Sequence, residues 1–369
     1  MRSKFLALVA VLVSSFSSAV HAAEFFFRDG DRVVMIGDSI TEQHLYSNFV
    51  EMWITTRFPQ WNITFRNSGI GGDRSGGGNG RFQRDVVAHN ATAMTVDFGM
   101  NDGGYKPFDE AGFAVYMKGL QGMADQAKAA GIRAAWCTPQ PLDNNEQGPT
   151  ALTAYNLTLE KYSEGVKQIA EKNDGLFVDQ FHPYLAVLDK ARGAGPKYDR
   201  ITGGDAVHPG PPGQALMAAS ILQGLNFPTK VSSVEIDAAN PSAAKAENCQ
   251  VMDAAAAGDG LKFVRHDQSL PFFPEDAKSI LKWSPILESL NHYGLKVTGL
   301  KPGKYAVKLD DAQVAEYSAE ELAQGVNLAE AALTAGPVAA QVKAIRKAIE
   351  EKNRFHHDKI FRGVTLVQL

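Results

Sequence analysis

The stretch VVMIGDSITEQ, residues 33–43, runs four apolar residues straight into Gly-Asp-Ser and then into a segment of helical character. A strand followed at once by a helix is the repeating unit of an α/β sheet. The corner between them is where open sheets of this kind bind ligands, at the carboxyl ends of the strands. A small hydroxyl on that corner has two readings. Asp38, Ser39 or Thr41 can simply cap the helix, accepting hydrogen bonds from N–H groups that lack an intrahelical partner. Alternatively, Ser39 presents its hydroxyl to a ligand, and then its chemical partners must lie elsewhere in the chain.

Outward from that corner the pattern repeats. Apolar runs predict strands at 32–36, 63–66, 93–98, 132–137 and 176–178. Apolar residues at helical spacing predict helices at 43–58, 80–89, 109–130 and 149–172; Tyr155, Leu159, Tyr162, Val166 and Ile169 show it best. A helix over 214–224 closes the unit. Alternating strands and helices imply right-handed crossovers and a parallel sheet with helices on both faces. The main domain is therefore placed at 23–225.

Beyond residue 226 the texture changes. Residues 238–260 are rich in Ala, Asn, Ser and Gly and read as a loop. The segment LKVTGLKPGKYAVKL, 295–309, alternates apolar and polar residues around Pro302-Gly303, a hairpin signature. Residues 337–353 form a charged amphipathic helix whose charges read as a solvated face. A small mixed β/α module over 226–369 is expected.

The composition sets limits. Of 369 residues, 44% are hydrophobic and 21% charged, with a formal net charge of −4. No basic cluster points to nucleic acid. Met1 to Lys4 is a short basic start, residues 5–13 are apolar, and 14–22 are small, ending in Val20-His21-Ala22. This reads as a secretory signal peptide over 1–22, since the apolar run is far short of the ~20 residues a membrane span needs. An exported protein, periplasmic or secreted, without stable membrane insertion, is the expectation. Only two cysteines occur. Cys137 lies inside an apolar run and reads as a buried thiol, while one bridge to Cys249 stays open.

Four blocks stand out in the main domain, each just after an expected strand or on the connection after the last one. They are GDSIT (37–41), NSGIGGD (67–73), FGMND (98–102) and DAVHPGPPGQ (205–214). Taken singly, each has a structural reading: glycines permit turns and asparagine tolerates them. Together they supply a chemistry. A serine hydroxyl becomes a nucleophile when a base accepts its proton, and His208 is the histidine placed for that role. The base needs its other ring nitrogen held by an acceptor, and Asp205 stands three residues before it. Attack on an ester creates a negative oxygen that needs preorganised donors. Ser39 offers its own N–H at a helix start, a glycine of the Gly71-Gly72 pair offers another, and Asn101 adds a neutral amide.

In these blocks the sequence resembles the SGNH hydrolases, or GDSL-like esterases. The resemblance matches the family's nucleophile to Ser39, its oxyanion glycine to Gly72, its oxyanion asparagine to Asn101, and its D-x-x-H motif to Asp205 and His208. It covers about 31–225, with GDSI in place of GDSL and Gly210 where a polar residue often follows His-Pro. It implies a flavodoxin-like three-layer α/β/α fold and a shallow, open site; since Ser39, Gly72 and Asn101 can supply all the stabilisation required, no cofactor or metal is expected.

The remaining expectations concern substrate. No long apolar lid of the lipase kind is visible. The Gly-rich stretch 76–80 and the loop 140–150, with Asp143, Asn144, Asn145, Glu146 and Gln147, put polar groups near the strand ends. These features favour an exported esterase removing short acyl groups, often acetyl, from a polysaccharide or small carbohydrate ester. The competing readings are an arylesterase, thioesterase or lysophospholipase of the same fold, or a non-catalytic carbohydrate-binding protein. His44, Asp143, His356 and His357 are candidate substrate-binding residues. His356-His357 sits in NRFHHDKIFRG, 353–363, which reads either as a cationic helix end or as a segment folding back to line the cleft. Its histidines lack the i, i+4 spacing of helical metal ligands.

Overall fold

A computed structural model of the protein describes residues 24–143, 150–194 and 200–366. The first part of the chain alternates as β1 (Arg32–Gly37), α1 (Ser39–Glu42), α2 (Leu45–Arg57), β2 (Thr64–Gly69), α3 (Ser75–Asp85), β3 (Ala93–Asp97), α4 (Glu110–Ala129), β4 (Arg133–Cys137), α5 (Thr150–Lys172), β5 (Leu176–Val178), α6 (Phe181–Gly193) and α7 (Pro211–Gly224). The strands form one five-stranded sheet in the order β2-β1-β3-β4-β5, and every pairing is parallel. This is the flavodoxin-like doubly wound order, whose chain direction switches between β1 and β3. Ser39 follows β1 and Asn101 follows β3, so both stand at that switch point.

Two apolar layers cover the sheet. One joins Phe82, Tyr116, Leu120, Met123, Tyr162 and Val166 from α3, α4 and α5 to Val34 and Val96 of the strands. The other begins with Met35 on β1, takes in Trp53 of α2 and Met217 of α7, and runs without a break into Phe272, Ile280, Val342 and Ile349 of the C-terminal part. Cys137 and Cys249 are both buried and unbridged. Among the described residues, no helix is long and apolar enough to cross a membrane.

Several local expectations need correction. The helix expected over 43–58 is α2, and the unexpected element is the short helix α1 before it, set off by His44, which takes a left-handed conformation with φ 62°. The Gly-rich stretch 76–80 is helical, inside α3. Glycine costs about 1 kcal/mol in a helix interior, but a Cβ on Gly78 would lie 2.6 Å from the Phe98 ring. Close helix–strand packing therefore overrides propensity there. The helix α6 had no clear periodic signature in the sequence.

The C-terminal part is more β-rich than its composition implies. It contains β6 (Lys230–Asp237), β7 (Asn240–Glu247), β8 (Cys249–Ala257), β9 (Gly260–Asp267), α8 (Ile286–Leu290), β10 (His292–Thr298), β11 (Lys304–Leu309), β12 (Ala312–Ser318), α9 (Ala319–Gln324), β13 (Val326–Asn327), α10 (Ala329–Ala332) and α11 (Gly336–Phe355). Residues 238–260 are thus mostly strand, not loop. Their alanines and charges are poor strand formers, and β7 is largely exposed, so pairing with β6 rather than propensity makes the strand. The expected hairpin across Pro302-Gly303 is also absent. β10 pairs with β6 and β13, while β11 turns at Asp310-Asp311 to pair with β12. Alternation located the strands but did not choose their partners.

Candidate active site

Gly37 ends β1 where a side chain has no room: a Cβ there would lie 2.1 Å from Thr41 Oγ1 and 2.7 Å from the Asp97 carbonyl. The chain can therefore turn at once into α1. Asp38 caps that helix, accepting from the Ile40 N–H at 2.9 Å. Ser39 occupies its first position, so capping falls to Asp38 and leaves the serine hydroxyl for another partner.

That partner is His208. Ser39 Oγ lies 2.8 Å from His208 Nε2, and His208 Nδ1 lies 3.1 Å from Asp205 Oδ2. The second carboxylate oxygen, Oδ1, accepts from the N–H groups of Val207 at 2.8 Å and His208 at 2.7 Å. Partial burial pushes the Asp205 carboxyl up, but those N–H groups and the imidazole outweigh it and hold the pKa below the usual carboxylate value. The carboxylate is ionised and fixed in direction.

Loop braces hold the histidine. Gln140 Nε2 donates to the Val207 carbonyl at 3.1 Å. Gln214 Nε2 donates to Gln43 Oε1 at 2.8 Å, linking the end of α1 to α7. Asp143 is only 2% exposed, and its carboxylate accepts from Thr202 Oγ1 at 2.5 Å. It faces the loop that carries Asp205. Its candidate neighbours 144–147 lie outside the described residues.

The oxyanion candidates gather beside the serine's corner. Gly72 has φ +74° and open space around it. Asn101 Nδ2 donates to the Asp73 carbonyl, one residue after Gly72, at 3.0 Å. The loop is pinned from below by Arg81, which the sequence reading missed. Its guanidinium donates to Asp73 Oδ2 at 2.8 Å, the Ser68 carbonyl at 2.8 Å, the Gly37 carbonyl at 3.0 Å and Asp85 Oδ2 at 2.8 Å. One side chain thus ties the ends of β1 and β2 to the Gly72 turn. Below them, burial raises Asp97 to about 7, partly offset by a 2.9 Å hydrogen bond from Gln180. Burial and then Asp97 likewise push Asp38 well up.

The other candidate histidines, His44, His356 and His357, form a separate cluster. The segment after α11 does fold back onto the main domain, but against the flank of α1 and α2. His44 and His357 meet edge to face, centroids 4.7 Å apart. Arg362 Nη2 donates to Glu42 Oε1 at 2.5 Å. His356 accepts from Arg66 Nη1 at 2.7 Å, beside the edge strand β2. Burial, followed by the nearby His357 and His356, lowers His44 to about 4. Burial and then Arg66 lower His356 to about 4. Glu42 connects the regions, because a Cβ on Gly71 would lie 2.9 Å from its Oε2. Among the described residues, no group of three or more His, Cys, Asp or Glu is placed to hold a metal ion.

The sequence profile of the GDSL-like lipase/acylhydrolase family matches residues 35–216. An acetylxylan esterase from Geobacillus stearothermophilus is 26% identical over 220 residues, which cover 54% of this chain and 95% of that protein. Among solved structures, a gut microbial diltiazem-metabolizing enzyme aligns with 92% of this chain and 83% of its own, at 28% identity and a TM-score of 0.79. That alignment continues well past the family domain into the C-terminal part.

Proposed function

We propose that this chain, whose residues 35–216 belong to the GDSL-like lipase/acylhydrolase family, is an exported serine esterase that removes short acyl groups, chiefly acetyl, from carbohydrate. The observation that carries the reading is the continuous hydrogen-bonded path from Ser39 through His208 to Asp205. In this reading His208 Nε2 takes the Ser39 proton as Oγ attacks the ester carbonyl. Asp205 stabilises the imidazolium and holds its tautomer, and the proton then passes to the departing alcohol. The acyl-enzyme is cleared by water activated on the same imidazole. The tetrahedral oxygen is met by the N–H groups of Ser39 and Gly72 and by the Asn101 amide.

The carbohydrate preference draws on the similarity to the acetylxylan esterase and on the polar groups around the strand ends. Export rests on the basic, apolar and small-residue sequence of 1–22. A second reading, hydrolysis of small drug-like esters, is favoured by the likeness to the diltiazem-metabolizing enzyme. A panel of acetylated xylo-oligosaccharides, aryl acetates and long-chain lipid esters separates them. The expected result is the highest kcat/KM on the acetylated sugars, and equal or better turnover of aryl acetates would favour the second reading.

A further inference from the structure

Asn101 is useful as an oxyanion donor only if its amide nitrogen faces the reacting centre. A side-chain amide can flip, and the flipped form would present a carbonyl oxygen to the developing negative charge. One contact decides the orientation and a second holds it. The Asp73 carbonyl can only accept, so Nδ2 must face it. On the other side, the Tyr105 hydroxyl lies 2.9 Å from Asn101 Oδ1 and donates to it. The second Nδ2 hydrogen then has no partner among the described residues.

The structure builds Tyr105 for this. It stands four residues after Asn101, beyond Gly103-Gly104, with φ 55°. A bulky residue in the left-handed region is unusual and tends to occur at functional sites. Its ring stacks on Tyr155, centroids 5.1 Å apart, and the Tyr155 hydroxyl donates to the Met100 carbonyl. Tyr105 is nonetheless 48% exposed, so burial of apolar surface does not account for the strained backbone. Burial, then the charges of Asp38 and Asp205, raise the phenol's pKa. The hydroxyl therefore stays protonated and able to donate.

We infer that Tyr105 is a positioning residue for ester hydrolysis, locking the Asn101 amide so that an N–H rather than a carbonyl oxygen faces the tetrahedral oxygen. This rests on the esterase reading above. Tyr105→Phe removes the donor and keeps the stacked ring. Losing an oxyanion donor outright costs on the order of 10²–10³ in kcat. Loosening one should cost about tenfold, with KM on a small activated ester little changed. The decisive measurement is a double-mutant cycle with Asn101→Ala. Tyr105→Phe should have no further effect once the amide is gone, because residues acting as one unit are not additive. A purely structural tyrosine would instead lower kcat by the same factor in both backgrounds, and that result overturns the inference, as does wild-type kcat in the single variant. Ser39-dependent turnover by the parent chain tests the esterase reading separately. Thermal melting of each variant verifies that it is folded.

Discussion

The Ser39 corner and the C-terminal docking face hold the same four-residue helix, α1, from two sides, and they are built from opposite kinds of contact. At its start, Ser39 meets a histidine and aspartate three residues apart on one loop, with backbone N–H groups fixing the carboxylate. At its end, Glu42 meets Arg362, 320 residues away in sequence, beside His44, whose imidazole burial keeps neutral. The first side is a compact motif and the second a long-range docking surface. The helix α1 thus belongs structurally to both parts of the chain, although the proposed chemistry uses only one.

The sharpest test is at the Ser39 side. Ser39→Ala should abolish labelling by a fluorophosphonate probe and lower kcat by on the order of 10⁶, the scale seen when a serine hydrolase loses its nucleophile. Its melting temperature should stay near that of the parent. Residual labelling at another serine would move the nucleophile and dissolve the contrast.

A second test addresses the shared apolar layer. Ile280 is fully buried in the C-terminal part, within the cluster that also holds Trp53 and Met217. Ile280→Ala should cost about 2–5 kcal/mol and lower one cooperative transition covering the whole chain. If calorimetry showed two transitions and only one moved, the parts would be separate folding units and the comparison would lose its basis.

The smallest expected effect is a pH dependence. His44 and His356 are held to about 4 when folded, against an ordinary value near 6.5. Below pH ~6.5 the unfolded chain takes up protons that the folded chain resists, so their contribution is complete above that value and is lost as pH falls through about 4. Asp97, raised to about 7, works in the opposite direction over the same range, binding a proton in the folded state. The measurement is therefore a difference. The melting temperature of His356→Gln relative to the parent should rise as pH drops from 6.5 to 4, with Asp97 cancelling between them. A pH-independent difference would assign His356 no part in the acid sensitivity of the docking face.

Much of this molecule is legible in the sequence where the controlling interactions are local. The GDSI corner, the D-x-x-H spacing, and the alternation of apolar runs with helical patterns each depend on residues within a turn or two. They led to the parallel sheet and to the residues that meet at its strand ends. What only the tertiary structure decided depends on partners distant in the chain. Arg81 carries no motif, and its role appears only when the ends of β1 and β2 and the Gly72 turn converge on it. Tyr105 is one aromatic among many until its hydroxyl meets Asn101. The strands of 238–260 were hidden because a strand's stability lies in its pairing, which alanine-rich composition does not announce. Alternation around Pro302-Gly303 marked two strands, yet each took another partner, since period two says which face a residue occupies and not which strand lies beside it.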